Sequence, residues 1–255
     1  MATKELQSVA FGSKEAAAMV KELRESYGSG KTRSYEWRVS QLKNIEKMTE
    51  YHEQEIIEAL RSDLSKPEFE SYIQEIALLK NSCTLALKEL ESWMKPEKVY
   101  LHVKSSPVIF PSSAEIVPEP LGVVLVISAW NYPLLVTLDP VVGAIAAGNA
   151  VVVKPSELAL ATSSLLAKLL GDYMDNSCVR VVEGAVAETS ALLEQKWDKI
   201  CYTGNRRVGR IVMASAVKHL TPVLLELGGK CPAVVDSGID LQVYMDIFLF
   251  QVLKL

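Results

Sequence analysis

The sequence predicts an α/β protein in which N-terminal helices are followed by a β-hairpin extension and then by a doubly wound parallel sheet. Three observations carry this expectation. Residues 14–94 repeat apolar side chains at helical spacing, the period changes to strict alternation from Val99, and beyond Pro120 short β-branched runs alternate with helical stretches.

In the first third, Met19, Val20 and Leu23 share one helical face, as do Leu42, Ile45 and Met48, and then Ile56, Leu60 and Leu64. A last helix is expected to open at Pro67, whose missing N–H is harmless in a first turn, and to run through Phe69, Ile73, Ile76, Cys83, Leu87 and Leu90. Residues 100–109 alternate, Pro111-Ser112-Ser113 turns the chain, and residues 114–117 run extended. This is a hairpin signal within 99–118, with prolines of the kind confined to edges. Strands are then expected at 123–128, 150–153, 179–182, 200–202 and 223–226, with helices at 137–147, 158–173, 187–194 and 206–217. The organisation reads as a helical part over 1–98, the hairpin over 99–118, a sheet-bearing part over 119–232, and a further segment from 233 to 255.

Composition excludes several classes. The 255 residues are 49% hydrophobic and 23% charged, with 27 basic and 31 acidic side chains intermixed, so no basic stripe offers itself to nucleic acid. Cys83, Cys178, Cys201 and Cys231 lie far apart and form no C-x-x-C pair. No metal site and no disulfide framework are expected, and reduced thiols suit a cytoplasmic protein. Residues 1–13 lack the apolar core of a secretory signal. The apolar stretch over 121–153 is broken by Asn131, Pro133, Asp139, Pro140 and Asn149, so it reads as alternating elements and not as a membrane span.

Two apparent motifs are discounted. Gly30-Lys31-Thr32 resembles the end of a phosphate loop, but Glu25 stands where the first glycine belongs, so an exposed turn is expected. Tyr27 and Lys31 have the Tyr-x-x-x-Lys spacing of some dehydrogenases, yet Gly28, Ser29 and Gly30 between them disfavour the helix that spacing needs.

The chemistry-bearing segments follow strands. Asn131, in Trp130-Asn131-Tyr132-Pro133, sits at a carboxyl sheet edge, where its amide could donate to a developing oxyanion or simply close a turn before proline. Lys154 and Glu157 end the next strand, placed either for ribose hydroxyls or as a solvated strand end. Gly204, Asn205 and Gly209 occupy a strand-to-helix junction, where free N–H groups favour a pyrophosphate, although lone glycine turns are common. Glu226 lies in an apolar strand beside Leu224, Leu225 and Leu227, and Gly228-Gly229 after it allows close backbone approach. Desolvation there would raise its pKa and suit a general base; the alternative is a glutamate paired with Lys230 or an arginine.

Together, W-N-Y-P, G-N-A-V-V-V-K-P-S-E, Y-T-G-N and L-E-L-G-G-K, in this order and preceded by Leu64-Ser65-Lys66-Pro67, resemble the aldehyde dehydrogenases, and most closely the class 3, fatty-aldehyde-type branch. The resemblance runs from about residue 10 to about residue 243. It implies a Rossmann-like coenzyme domain for NAD or NADP and oxidation of a medium- or long-chain aliphatic aldehyde to an acid. It implies Asn131 in the oxyanion hole and Lys154 and Glu157 on the adenosine ribose. It further implies Gly204 at the pyrophosphate, with Asn205, Gly209 and Gly228 nearby, and Glu226 as general base. In that family a cysteine thiolate attacks the aldehyde, hydride leaves to the nicotinamide, and a glutamate-activated water hydrolyses the thioester.

The family's usual serine after the glycine is here Asn205, so the phosphate contact differs in detail. Resemblance places the nucleophilic cysteine near 260, and residues 244–255 depart from the family pattern. The expectation is therefore a truncated form lacking the catalytic half, inactive alone, and either a non-catalytic nucleotide-binding fragment or a partner-binding one. Homodimer formation through the hairpin, or capture by a full-length subunit, is implied in the same way.

Overall fold

The computed structural model describes residues 11–99 and 114–230, together with 232, 234, 238, 240 and 242. The first third is helical as expected, in α1 (Ser13–Gly28), α2 (Tyr35–Tyr51), α3 (Glu53–Leu64), α4 (Glu68–Ser71) and α5 (Ala77–Trp93). Ser34 caps α2 through the Trp37 N–H at 3.0 Å, closing one of the donors a helix start leaves free.

The expected single helix from Pro67 is two pieces. Pro67 stands just before α4 with extended backbone, and a π turn over Tyr72–Ile76 separates α4 from α5. The wider turn rotates the register, so Glu75 and Ile76 are buried, while Phe69 and Ile73 face outward against the sequence expectation. The Gly30-Lys31-Thr32 turn also differs from expectation. Thr32 is buried, and Lys31 is held in an ion pair with Asp175.

Strand β1 (Glu97–Val99) pairs antiparallel with β2 (Ala114–Ile116), Val99 opposite Ala114. This is the base of the expected hairpin, and its remainder, 100–113, falls outside the described residues. The main sheet holds β3 (Val123–Ile127), β4 (Ala150–Lys154), β5 (Val179–Val181), β6 (Lys199–Gly204) and β7 (Val223–Leu227), all parallel, in the order β5-β4-β3-β6-β7. Between them run α6 (Leu135–Ala146), α7 (Leu160–Tyr173), α8 (Val186–Leu193) and α9 (Arg206–Val217).

The strand order explains the sequence pattern. Helical crossovers carry the chain outward from β3 through β4 to β5, then back across the sheet to β6 and on to β7. Helices consequently cover both faces of the centre, and every residue of β3 and β4 is buried, which is why both read as continuous apolar runs. One hydrophobic core joins helices and sheet, from Leu23 and Ile45 to Leu125, Val152 and Ile200. Gly148 is required where α6 turns into β4. Its φ is 82°, and a Cβ there would lie 2.4 Å from the guanidinium of Arg38, which donates to the Ala146 carbonyl at 3.0 Å and closes the end of α6.

Candidate functional site: a crevice at the carboxyl edge of the sheet

β3 and β6 are neighbours in the sheet but leave in opposite directions, so the chain reverses between them and opens a crevice outside their carboxyl ends. Pairing places the sequence-predicted residues around that edge. Ile127 lies opposite Lys154 on one side and Tyr202 on the other, and Gly204 is two residues further along β6. With strands about 4.8 Å apart and about 3.3 Å per residue, Lys154 and Gly204 are separated by about 12 Å, within reach of one half of a dinucleotide.

Lys154, the last residue of β4, is 2% exposed. Its Nζ donates to the Pro155 carbonyl at 2.7 Å and to Glu157 Oε2 at 3.2 Å, leaving a third N–H for a ligand. Glu157 is 41% exposed along its side chain, so this carboxylate keeps acceptor positions open to solvent. Donor and acceptor thus stand side by side, as vicinal hydroxyls require.

At the junction of β6 and α9, a Cβ on Gly204 would fall 2.3 Å from the Tyr202 hydroxyl, which donates to the Asn205 carbonyl at 3.1 Å. Glycine therefore lets the chain pass closely over the tyrosine. Asn205 caps α9, its Oδ1 accepting from the Val208 N–H at 3.0 Å. Among the described residues, the N–H groups of Arg206 and Arg207 have no partner within the chain. They point out of a helix start whose dipole favours an anion. Gly209 is placed differently from these. It is buried inside α9 with its N–H spent on the Asn205 carbonyl, and a Cβ would press to 3.2 Å against Leu227, so it sets the helix-to-strand approach.

Asn131 lies exposed beyond β3, and among the described residues its amide makes no hydrogen bond. The chain around it is fixed. Thr137 Oγ1 donates to the Pro133 carbonyl at 2.6 Å, and the Ser128 hydroxyl, also 2.6 Å away, donates to Thr137 Oγ1 in turn.

The desolvation expected around Glu226 is corrected. The residue is exposed, as is Leu224 on the same face of the strand, because β7 ends the sheet among the described residues and α9 packs on the opposite face, where Gly209 meets Leu227. The apolar neighbours in the sequence are thus not a desolvating pocket in this chain. Glu226 pairs in register with Thr203, one residue before Gly204, and Gly228 lies exposed just past the strand. Both therefore share the crevice's edge with the other candidates.

Other residues at this edge escaped the sequence reading. α8 opens here with Val186, 75% exposed, at its first position. The N–H groups of Glu188 itself and of Ala185 hold the Glu188 carboxyl below the ordinary range, with Lys154 adding to the effect. The readable signal was Glu183-Gly184 closing β5. Lys66 and Glu75 were missed as well. An acidic residue in register with the buried Leu79 and Cys83 was the available clue.

The described cysteines lie apart from nucleophile chemistry. Burial pushes the Cys83 thiol up to about 12, with Glu46 and Asp139 adding, and burial likewise raises Cys178 and Cys201. Cys231 falls outside the described residues.

The model of the aldehyde dehydrogenase family matches residues 3–254. Over 233 residues the chain is 65% identical to aldehyde dehydrogenase family 3 member H1 of Arabidopsis thaliana, covering 91% of this chain and 47% of that one. With the chloroplastic family 3 member I1 of the same plant it shares 62% over 237 residues, covering 93% and 42%. A substrate-bound structure of Staphylococcus aureus AldH superposes with a TM-score of 0.80 at 34% identity, covering 92% of this chain and 50% of that one. More distant proteins of the same fold have been solved with NAD+ and with NADP bound. The chain spans about half the length of the curated relatives it matches. With the strand-end lysine, the glycine junction and the glutamate strand on one edge of a doubly wound sheet, and with family 3 members as its relatives, the chain belongs to the aldehyde dehydrogenase family.

Proposed function

We propose that this chain is the coenzyme-holding half of an enzyme that oxidises aldehydes to carboxylic acids with NAD or NADP. The observation that carries the reading is the convergence of Lys154, Glu157 and the free N–H groups of α9 on one edge at the reversal of strand order. The spare N–H of Lys154 and the exposed carboxylate of Glu157 would hold the adenosine ribose. The N–H groups of Arg206 and Arg207, behind Gly204, would hold the pyrophosphate, and Val186 offers an apolar surface nearby. When bound, the nicotinamide supplies the hydride acceptor. Asn131 would donate to the oxygen of the reacting carbonyl, and Glu226 would take a proton from water once the face of β7 is covered and dry.

Coenzyme choice follows from charge. Glu157 repels a 2′-phosphate, so NAD should bind better than NADP, while Lys154 beside it softens the preference. Medium- and long-chain aliphatic aldehydes are the substrate class implied by resemblance. Cytoplasm remains the compartment suggested by reduced cysteines, and a chloroplast is an alternative raised by the name of one relative. Among the described residues no helix is long and apolar enough to cross a membrane.

The test is NAD binding by calorimetry. Lys154→Met is expected to weaken binding by roughly 10- to 100-fold, the size of a charge-assisted hydrogen bond. Glu157→Gln should narrow the gap between NAD and NADP. Unchanged affinity in Lys154→Met would place the coenzyme elsewhere.

A second reading, a fragment that docks on a full-length subunit, is favoured by the exposed Val217, Leu220, Leu224 and Leu227 along α9 and β7.

A further inference from the structure

We propose that Glu75, held by Lys66, is the positioning residue that fixes the loop presenting Asn131. The proposal rests on the reading of Asn131 as the oxyanion donor and adds what holds that donor in place. Glu75 is wholly buried in the π turn between α4 and α5, and each of its carboxylate oxygens is committed. Oε1 accepts from Lys66 Nζ at 2.6 Å. Oε2 accepts from the N–H groups of Leu134 and Leu135, at 2.9 and 3.2 Å.

Those two N–H groups begin α6, the helix that follows Trp130-Asn131-Tyr132-Pro133, and α6 has no capping side chain of its own. A carboxylate some sixty residues earlier in the chain therefore serves as its cap, with its charge facing the positive end of the helix.

Lys66 engages the same loop from the other direction. Its Nζ lies 4.0 Å from the centre of the Tyr132 ring, the residue after Asn131. It is buried because Ser65, with φ 54°, ends α3 in the left-handed region and turns the following lysine inward. The π turn contributes by rotating Glu75 under α6, and turns of this kind gather at functional sites.

The loop is consequently tied at Tyr132 by Lys66, at Leu134 and Leu135 by Glu75, and at Pro133 and Ser128 by Thr137. Asn131 stands among these fastened neighbours with its own amide exposed and uncommitted among the described residues. An oxyanion donor needs this arrangement. Its backbone must be set before the reaction, so that no reorganisation is required as charge develops, and its amide must stay free.

The experiment uses the 255-residue chain and needs no turnover. Amide hydrogen exchange and the side-chain resonance of Asn131 are followed in wild type, Glu75→Gln, Lys66→Met and Leu23→Ala. The last variant weakens α1 on the opposite face of the sheet and reports general destabilisation. In both Glu75→Gln and Lys66→Met the Asn131 amide resonance is expected to shift and broaden. Exchange at Leu134 and Leu135 should quicken at least tenfold more than exchange within α7, whereas in Leu23→Ala the two regions quicken alike. Where Glu75→Gln does not fold, Lys66→Met decides on the same readouts. The proposal is overturned if the variants behave as Leu23→Ala does, or if they leave the Asn131 resonance and the protection of Leu134 and Leu135 at wild-type values. NAD affinity, measured in parallel, is expected to be unchanged in Lys66→Met. A wild-type chain that bound no NAD would count against the coenzyme reading and not against the clamp.

Discussion

Given NAD and a medium-chain aliphatic aldehyde, the purified 255-residue chain is expected to form no NADH above background. Oxidation by this route needs a thiolate beside the coenzyme, and the described thiols cannot supply one. At about 12, Cys83 is ionised to roughly one part in 10⁵ at neutral pH, and it lies in the helical layer without solvent contact. Cys178 is equally enclosed, and Cys201 sits mid-strand on β6, raised by burial. The groups proposed for the edge are a donor, a carboxylate and ligands for a coenzyme, which would bind without forming a bond to carbon. The measurement is absorbance at the NADH band, repeated with Cys231→Ala. Activity clearly above background that vanished in this variant would make Cys231 the nucleophile and overturn the reading of a coenzyme-holding half.

Replacing Asp175 by alanine is expected to destabilise the chain by about 3 kcal/mol, because one carboxylate ties the helical layer to the sheet. Asp175 pairs with Lys31 at 2.5 Å, accepts from Trp37 Nε1 at 2.9 Å, and accepts from the N–H and hydroxyl of Ser177 at 3.1 and 2.7 Å. Its own N–H donates to Gln41 Oε1 at 2.8 Å. Removing the carboxylate leaves the Trp37 indole N–H and the Ser177 turn N–H unpaired, and leaves the half-exposed Lys31 ammonium only the Ser177 hydroxyl at 3.0 Å, where the N-terminal helices meet the turn between α7 and β5.

The same carboxyl predicts a pH dependence. Burial opposes ionisation, but the hydrogen bonds from Lys31, Trp37 and Ser177 outweigh it and hold the group at about 2. Its folded pKa is below its unfolded one, so its contribution is present above about pH 4 and is lost as pH falls through about 2. The difference corresponds to about 2 kcal/mol. Urea midpoints of wild type and Asp175→Ala should therefore differ widely at pH 7 and converge toward pH 2. Parallel pH profiles for the two proteins would show that Asp175 is not the coupling residue.

How far the sequence reaches is visible in particular residues. The apolar runs of β3 and β4 could be read because both faces of those strands are buried, so each position reports the same environment. Lys154, Glu157 and Gly204 could be placed on one edge because parallel strands joined by helices put every strand's carboxyl end on the same side. Glu226 shows the limit. Leucines adjacent in sequence suggested a dry pocket, but neighbours along a strand point to alternate faces, and burial depends on what packs there.

The sequence by itself determined the fold class, the order of the elements and the family, since these rest on periodicity and on motifs whose parts lie within a few residues of each other. Only the tertiary structure decided which charged groups meet. Glu75 reaches the start of α6, Lys66 the ring of Tyr132, and Asp175 the side chains of Lys31 and Trp37, each across a long stretch of chain. Periodicity marks a residue as inward-facing. Its partner is set by where a distant segment happens to pack, and that information exists only once the core has closed.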